Sequence, residues 1–134
     1  MKKTKVPEPH FYLKVVNIPI YFGNFLIIFS DDLKRVEKTV RANPGEIEYL
    51  YAFTFHNFSF KGKESFAVCF NFWTGDEITI GTIIHEISHA GNRILNARGV
   101  ERDWENDEPE SYLKGFLGDK VEEFMKECGI LTRN

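Results

Sequence analysis

Apolar and polar positions change period several times along the chain, and each change marks an element. Residues 11–16 and 20–29 are runs rich in Phe, Tyr, Val and Ile around a Pro/Asn/Gly break, and this β-branched and aromatic chemistry predicts two strands. Asp31 and Asp32 then offer an N-cap to a stretch carrying Leu33, Val36 and Val40, and Asn43-Pro44-Gly45 stops it, which predicts a first helix. The runs 48–60 and 65–73 are aromatic-rich and flank Lys61-Gly62-Lys63. In the second run Phe66, Val68, Phe70 and Phe72 alternate with Ala67, Cys69, Asn71 and Trp73, so a β-hairpin is expected. A long helix is expected over about residues 78–97, closing near Gly99, and another from about Pro109 to Cys128, closing near Gly129. This order of elements predicts an α+β fold, a mostly antiparallel sheet packed against helices, in a single domain spanning 1–134.

The helix over 78–97 carries the candidate chemistry. On a wheel at about 100° per residue starting from Ile80, the side chains of Ile83, Ile84, Ile87, Gly91, Ile94 and Leu95 fall within about 60° of it and predict a core stripe. His85 and His89 fall near 140° and 180°, roughly opposite that stripe, and about 6 Å apart along the axis. Core histidines satisfied by hydrogen bonds would sit inside the stripe. Two neutral imidazoles at this spacing reach one Zn²⁺ at about 2.0–2.1 Å, and a glutamate following the first is placed to hold a metal-bound water. The segment His85-Glu86-Ile87-Ser88-His89 therefore predicts one zinc per chain, with His85 and His89 as ligands and Glu86 as general base.

A zinc site needs a third protein ligand, and no histidine follows His89. Glu101, Asp103, Glu105, Asp107, Glu108 and Glu110 form an acidic stretch, most of which reads as a solvated loop. Glu108 lies directly before Pro109, a residue favoured in the first helical turn, and is the expected third ligand. Glu110 is the competitor, about 200° further round the same helix.

The segment His85-Glu86-Ile87-Ser88-His89, followed after eighteen residues by Glu108 and then Tyr112-Leu113, resembles the gluzincin zinc metallopeptidases. The aromatic N-terminal half, Thr79-Ile80-Gly81-Thr82-Ile83-Ile84 before His85, and Glu108-Pro109-Glu110-Ser111-Tyr112-Leu113 are also similar to small metallopeptidase-like proteins encoded by bacteriophages. The likeness covers roughly the last sixty residues, and Tyr112 stands where thermolysin-like enzymes have an aspartate. It implies a zincin-like fold, hydrolysis of peptide bonds in a peptide or protein substrate, and an extended substrate held by strand addition at a sheet edge, a role open to the hairpin 48–73. Tyr112, one turn after Glu108, and His56 are candidates to stabilise the transition state, although a structural role is the commoner reading of each. Cys69 invites comparison with the cysteine ligand of peptide deformylases, but the glycine-cysteine-leucine setting of that family is absent and Cys69 reads as a packing residue. Arg93 is expected to pair with an acid of the 101–110 loop.

Composition narrows the picture further. The chain has 134 residues, 43% apolar and 15% aromatic, enough to bury one core. Its 17 basic and 20 acidic side chains give a net charge of −3 with no long basic run, so nucleic acid is not an expected partner. Met1-Lys2-Lys3-Thr4-Lys5 is followed by Pro7, Glu8, Pro9 and His10 rather than by an apolar segment, and the apolar run Ile18 to Phe29 is interrupted by Pro19 and Gly23. Neither a secretory signal nor a membrane span is expected. Cys69 and Cys128 lack CxxC spacing and fit reduced thiols, hence a cytoplasmic setting, the host cytoplasm if the chain is phage-encoded. An inactive zinc-binding protein and a zinc hydrolase of a non-peptide amide are the alternative functions. Glu86 favours the metallopeptidase, because a purely structural zinc site has no use for a base.

Overall fold

A computed structural model describes residues 9–48, 50–71, 78–130 and 132–133. Strand β1 (Phe11–Asn17) pairs antiparallel with β2 (Asn24–Ser30). The strand expected over 20–29 begins only at Asn24, because residues 18–23 form the reversal between the two: Ile18 N–H donates to the Gly23 carbonyl at 3.0 Å, and Ile20 and Phe22 adopt φ of 68° and 63°. Gly23 is required there, since it has φ 96° and a Cβ on it would lie 2.9 Å from the Glu64 carbonyl oxygen. Helix α1 (Leu33–Val40) starts as expected at Asp32, whose carboxylate accepts from Arg35 N–H at 3.2 Å, and it buries Val36 and Val40.

The expected hairpin is formed by β3 (Ala52–Phe60) and β4 (Lys63–Asn71), with a bulge between Phe55 and Phe58. Tyr49, Phe72 and Trp73 of the expected strand runs, and Met1 to Glu8, lie outside the described residues. Strand β5 (Ile78–Thr79) leads into helix α2 (Ile80–Ala97), helix α3 (Glu108–Cys128) follows, and β6 (Thr132–Arg133) pairs parallel with β5.

The α+β class agrees with the sequence, and the main sheet is mixed, antiparallel in two of its three pairings. Its order is β1-β2-β4-β3, with two antiparallel pairings around a central parallel one, β2 with β4. The chain leaves β2 through α1, returns as the edge strand β3, and the hairpin folds β4 into the middle. Every residue of β2, and Ser65 to Asn71 of β4, is buried, as expected where helices cover both faces. Phe25, Ile27, Phe29, Phe66, Val68 and Phe70 pack with α2 and α3, whereas Leu26, Ile28, Ala67 and Cys69 pack with Val36 and Val40 of α1. Three layers result: α1, the sheet, and the α2–α3 pair.

Thr79 caps α2 by accepting from Thr82 N–H at 3.1 Å. The core stripe is displaced from the expected one: Ile87, Ala90, Gly91, Ile94 and Leu95 are buried together with Glu86, but Ile80 and Ile84 are 50% and 62% exposed. Ile80 and Ile84 lie on a side of α2 that no described element covers. Lower down, a Cβ on Gly91 would lie 2.7 Å from Lys114 Cγ, and Gly118 lies close to Ile87, so the two helices run antiparallel in close contact. At the end of α2, Arg98 fastens the β1–β2 reversal by donating to the Tyr21 and Phe22 carbonyls and pairing with Glu64 at 3.0 Å. Among the described residues, no helix is long and apolar enough to cross a membrane.

Candidate metal centre

His85 and His89 lie one turn apart on α2, both exposed. Their Nε2 atoms are 3.1 Å apart, with ring planes at 83°. Two nitrogens bound tetrahedrally to one zinc at about 2.05 Å would be separated by about 3.3 Å. The pair is thus near ligating geometry. Without metal, the same distance lets one imidazole N–H donate to the other ring nitrogen.

Between them in sequence, Glu86 turns the other way. It is 4% exposed, and its Oε2 has no hydrogen-bond partner among the described residues. Burial raises the pKa of its carboxyl; the charges of His85 and His89 and a hydrogen bond from the Thr54 hydroxyl oppose the rise. Thr54 also donates to the backbone carbonyl of Glu86 at 3.1 Å, which ties the edge strand β3 to the middle of α2. A cleft of about 490 Å³ opens at this junction, between Tyr51 and Ala52 on one side and Thr79, Gly81 and Thr82 on the other, with His85 and Glu86 in its wall.

Beyond His89 a groove of about 800 Å³ follows the second half of α2 to the start of α3, lined by Asn92, Arg93, Asp103, Asp107 and Glu110 among others. Glu108 begins α3 and is exposed. Because Lys114 packs on Gly91, Glu108 is roughly 12 Å along the helix axes from the level of His89. Among the described residues, no third His, Cys, Asp or Glu groups with the two histidines.

Glu110 is held by two cations, Lys114 at 2.6 Å and Arg102 at 2.7 Å, rather than by Arg93. Its hydrogen bonds to Lys114 and then Arg102 lower its pKa. Its contribution to stability is therefore present above the unfolded-state pKa and lost as pH falls through the lower folded value. Glu110→Gln is expected to lower the melting temperature slightly at pH 7 and to leave it unchanged at pH 2, as differential scanning calorimetry would measure.

Cys69 is fully buried on the α1 side of the sheet, where burial, and next the charge of Glu86, push its thiol pKa well up. It is a packing residue. Tyr112 is 76% exposed on α3, and His56 lies in the bulged stretch of β3; neither lines the cleft beside Glu86.

Compared with protein families, curated proteins and solved structures, the chain matches none. The functional argument rests on the site itself. Sequence reading missed Tyr51 and Thr54, which reach Glu86 or its cleft only because β3 packs against α2, and Thr82, which lies one turn before Glu86 on α2 itself. The one local hint was Thr82 itself, three residues before His85.

Proposed function

We propose that this protein is a zinc-dependent hydrolase of peptide bonds, with zinc held by His85 and His89 and with Glu86 as general base. The observation that carries the reading is the convergence of two imidazole nitrogens at 3.1 Å, with the residue between them in sequence a buried carboxylate that has one oxygen unpartnered among the described residues. Both features suit the group: the nitrogens are spaced for one tetrahedral ion, and the orphaned oxygen calls for a donor such as water.

His85 and His89 would hold the ion, which would supply Lewis acidity toward water and a carbonyl. Glu86 takes a proton from the attacking water as the water oxygen bonds to the carbonyl carbon. It gives that proton to the nitrogen as the C–N bond breaks, releasing a carboxylic acid and an amine. The upward shift in its pKa brings Glu86 closer to the pH at which it must both accept and return a proton.

The sheet edge supports an extended substrate. Asn71 N–H donates to the Tyr51 carbonyl at 2.9 Å, so Tyr51–Asn71, Phe53–Cys69 and Phe55–Ala67 are the hydrogen-bonded pairs of the hairpin. The N–H and C=O groups of Ala52 and Thr54 consequently point to the edge, beside the cleft that contains His85 and Glu86. The bulge after Phe55 breaks this register, which limits strand addition to the first part of β3.

Glu108 completes the ligand set in this proposal. Glu110 is already held by Lys114 and Arg102, while Glu108 has no ion pair among the described residues. Competition with a chromophoric chelator is expected to show zinc affinity reduced by roughly 100-fold in Glu108→Ala and by about threefold or less in Glu110→Ala. A larger loss in Glu110→Ala would transfer the role to Glu110.

The activity itself is tested by incubating the zinc-loaded protein with a mixed-peptide digest and identifying new termini by mass spectrometry. Cleavage that disappears with a chelator and returns with zinc is expected. A fully zinc-loaded protein that cleaves no peptide would favour the non-catalytic zinc-binding alternative.

A further inference from the structure

The histidine face of α2 continues past the candidate metal ligands. Arg93 stands one turn after His89 and two after His85, about 6 Å and 12 Å along the axis and about 40° and 80° round it, so the three residues form one row. Long helical side chains lean toward the helix N-terminus, which for Arg93 is toward His89. Arg93 is exposed and, with His89, lines the groove of about 800 Å³.

The sequence predicts that Arg93 pairs with an acid of the 101–110 loop, and it does not. Glu110 is taken by Arg102 and Lys114. Arg102, the other cation among the described residues of the groove wall, also donates to Asn92 at 3.3 Å and lies over the Trp104 ring, 5.0 Å from its centroid. Arg93 has no ion pair or hydrogen bond among the described residues. Its guanidinium is charged at every physiological pH, carries five donors, and presents a planar fork that matches a carboxylate. The other acids of the groove wall, Glu101, Asp103 and Asp107, follow the end of α2 and disfavour an anion in that part of the groove. A carboxylate is therefore favoured beside His89 and disfavoured further along.

The spacing also limits which carboxylate can reach. An extended peptide advances by about 3.3–3.6 Å per residue. The rise of about 6 Å from His89 to Arg93 thus corresponds to one or two residues.

We infer that Arg93 is a specificity-determining residue that binds a carboxylate of the peptide substrate one or two residues from the scissile bond. The inference rests on the metallopeptidase reading. The carboxylate is either the C-terminus of the peptide, in which case one or two residues are released at each cut, or the side chain of an Asp or Glu near the bond. In both cases the surfaces on the two sides of the histidine pair have separate tasks: the edge of β3 pairs with substrate backbone, and the groove selects a charge near the cut.

The test uses a peptide that the zinc-loaded parent cleaves, prepared with a free C-terminus, with a C-terminal amide, and with any Asp or Glu within two residues of the bond replaced by Asn or Gln. Steady-state kinetics are measured for the parent, Arg93→Gln and Arg93→Lys. Calorimetry measures the affinity of the same peptides for zinc-loaded Glu86→Gln, with and without Arg93→Gln, because the missing base leaves the bound peptide uncut. One of the two neutralised peptides is expected to lose roughly 10- to 100-fold in kcat/KM with the parent and in affinity for Glu86→Gln, as a charge-assisted bidentate pair would give. Loss with the amide identifies the C-terminus, and loss with the Asn or Gln peptide identifies the side chain. Arg93→Gln should show that loss with the unmodified peptide and no further loss on neutralisation, whereas Arg93→Lys keeps the charge without the fork and should recover part of it. Arg93 is exposed, so both variants should keep the parent's zinc affinity and melting temperature. A parent that cleaves every form of the peptide equally, or an Arg93→Gln protein that discriminates among them as the parent does, overturns the assignment of Arg93 and leaves the peptidase reading intact. A parent that holds zinc and cleaves no peptide overturns both.

Discussion

Replacing His85 and His89 together by alanine is expected to take the protein from about one bound zinc per chain to none measurable by elemental analysis. The magnitude follows from the geometry. The two imidazoles are the only His, Cys, Asp or Glu side chains that converge on a point 3.1 Å across on the exposed side of α2 among the described residues, so removing both leaves no ligand pair to compensate. Both positions are exposed on a helix and alanine is a good helix former, so the fold should survive. Thermal denaturation supplies an independent reading. Zinc at a hundred times its Kd should stabilise the parent by about 2.7 kcal/mol. For a domain of this size that raises Tm by roughly 8 °C. The double variant should show no zinc-dependent shift. Retention of one zinc by a folded double variant would sink the assignment of the metal to α2.

The second large effect is expected from Glu86→Gln: hydrolysis should fall by roughly 10²- to 10⁴-fold while zinc content is unchanged, because the amide preserves shape and removes the base. The structure adds a second expectation, of opposite sign, for stability. Glu86 is buried with one oxygen unpartnered among the described residues, and its folded-state pKa is raised, so the folded protein holds the carboxyl proton more tightly than the unfolded chain does. Its stabilising contribution is present below the unfolded-state pKa and declines as pH rises through the higher folded value. Above that folded value the metal-free parent carries a buried charge that the glutamine variant lacks. The variant is therefore expected to be more stable in urea by about 1 kcal/mol, with a flatter pH dependence. Equal peptide cleavage by the two proteins would rule out Glu86 as the base. Lower stability of the metal-free variant at pH 7 would show that the carboxylate has a partner it needs.

Such a trade between stability and chemistry is common at functional sites, and here it follows from the sequence position of Glu86. In the motif the base must follow the first ligand directly. On α2 that places it about 100° from His85 and toward the sheet, while both histidines face outward. The packing of β3 against α2 then decides how deeply Glu86 is buried, and Thr54 and the wall of the cleft come from that strand.

Much of this protein was written locally. The elements around Val36, Phe66 to Asn71, Ile87 to Leu95 and Leu113 to Met125 follow from short-range periodicity, caps and stops, because each depends on residues within a few turns of itself. The proximity of His85 and His89 is of the same kind, since i, i+4 spacing on one helix brings the rings together whatever the rest of the chain does. Strand order was not local. The β2–β4 pairing joins residues about forty positions apart, and nothing in either run distinguishes a parallel from an antiparallel neighbour, because both are apolar on both faces. The exposure of Ile80 and Ile84 had the same origin: their periodicity promised burial, but cover had to come from another element, and no described element covers that side of α2. The wall of the cleft beyond His85 and Glu86, including Tyr51, and the separation of Glu108 from His89 were likewise decided by how β3 and α3 dock on α2. Short-range geometry is set by backbone stereochemistry and is readable from residue spacing, whereas docking balances many weak contacts between distant segments and leaves no periodic trace in either one.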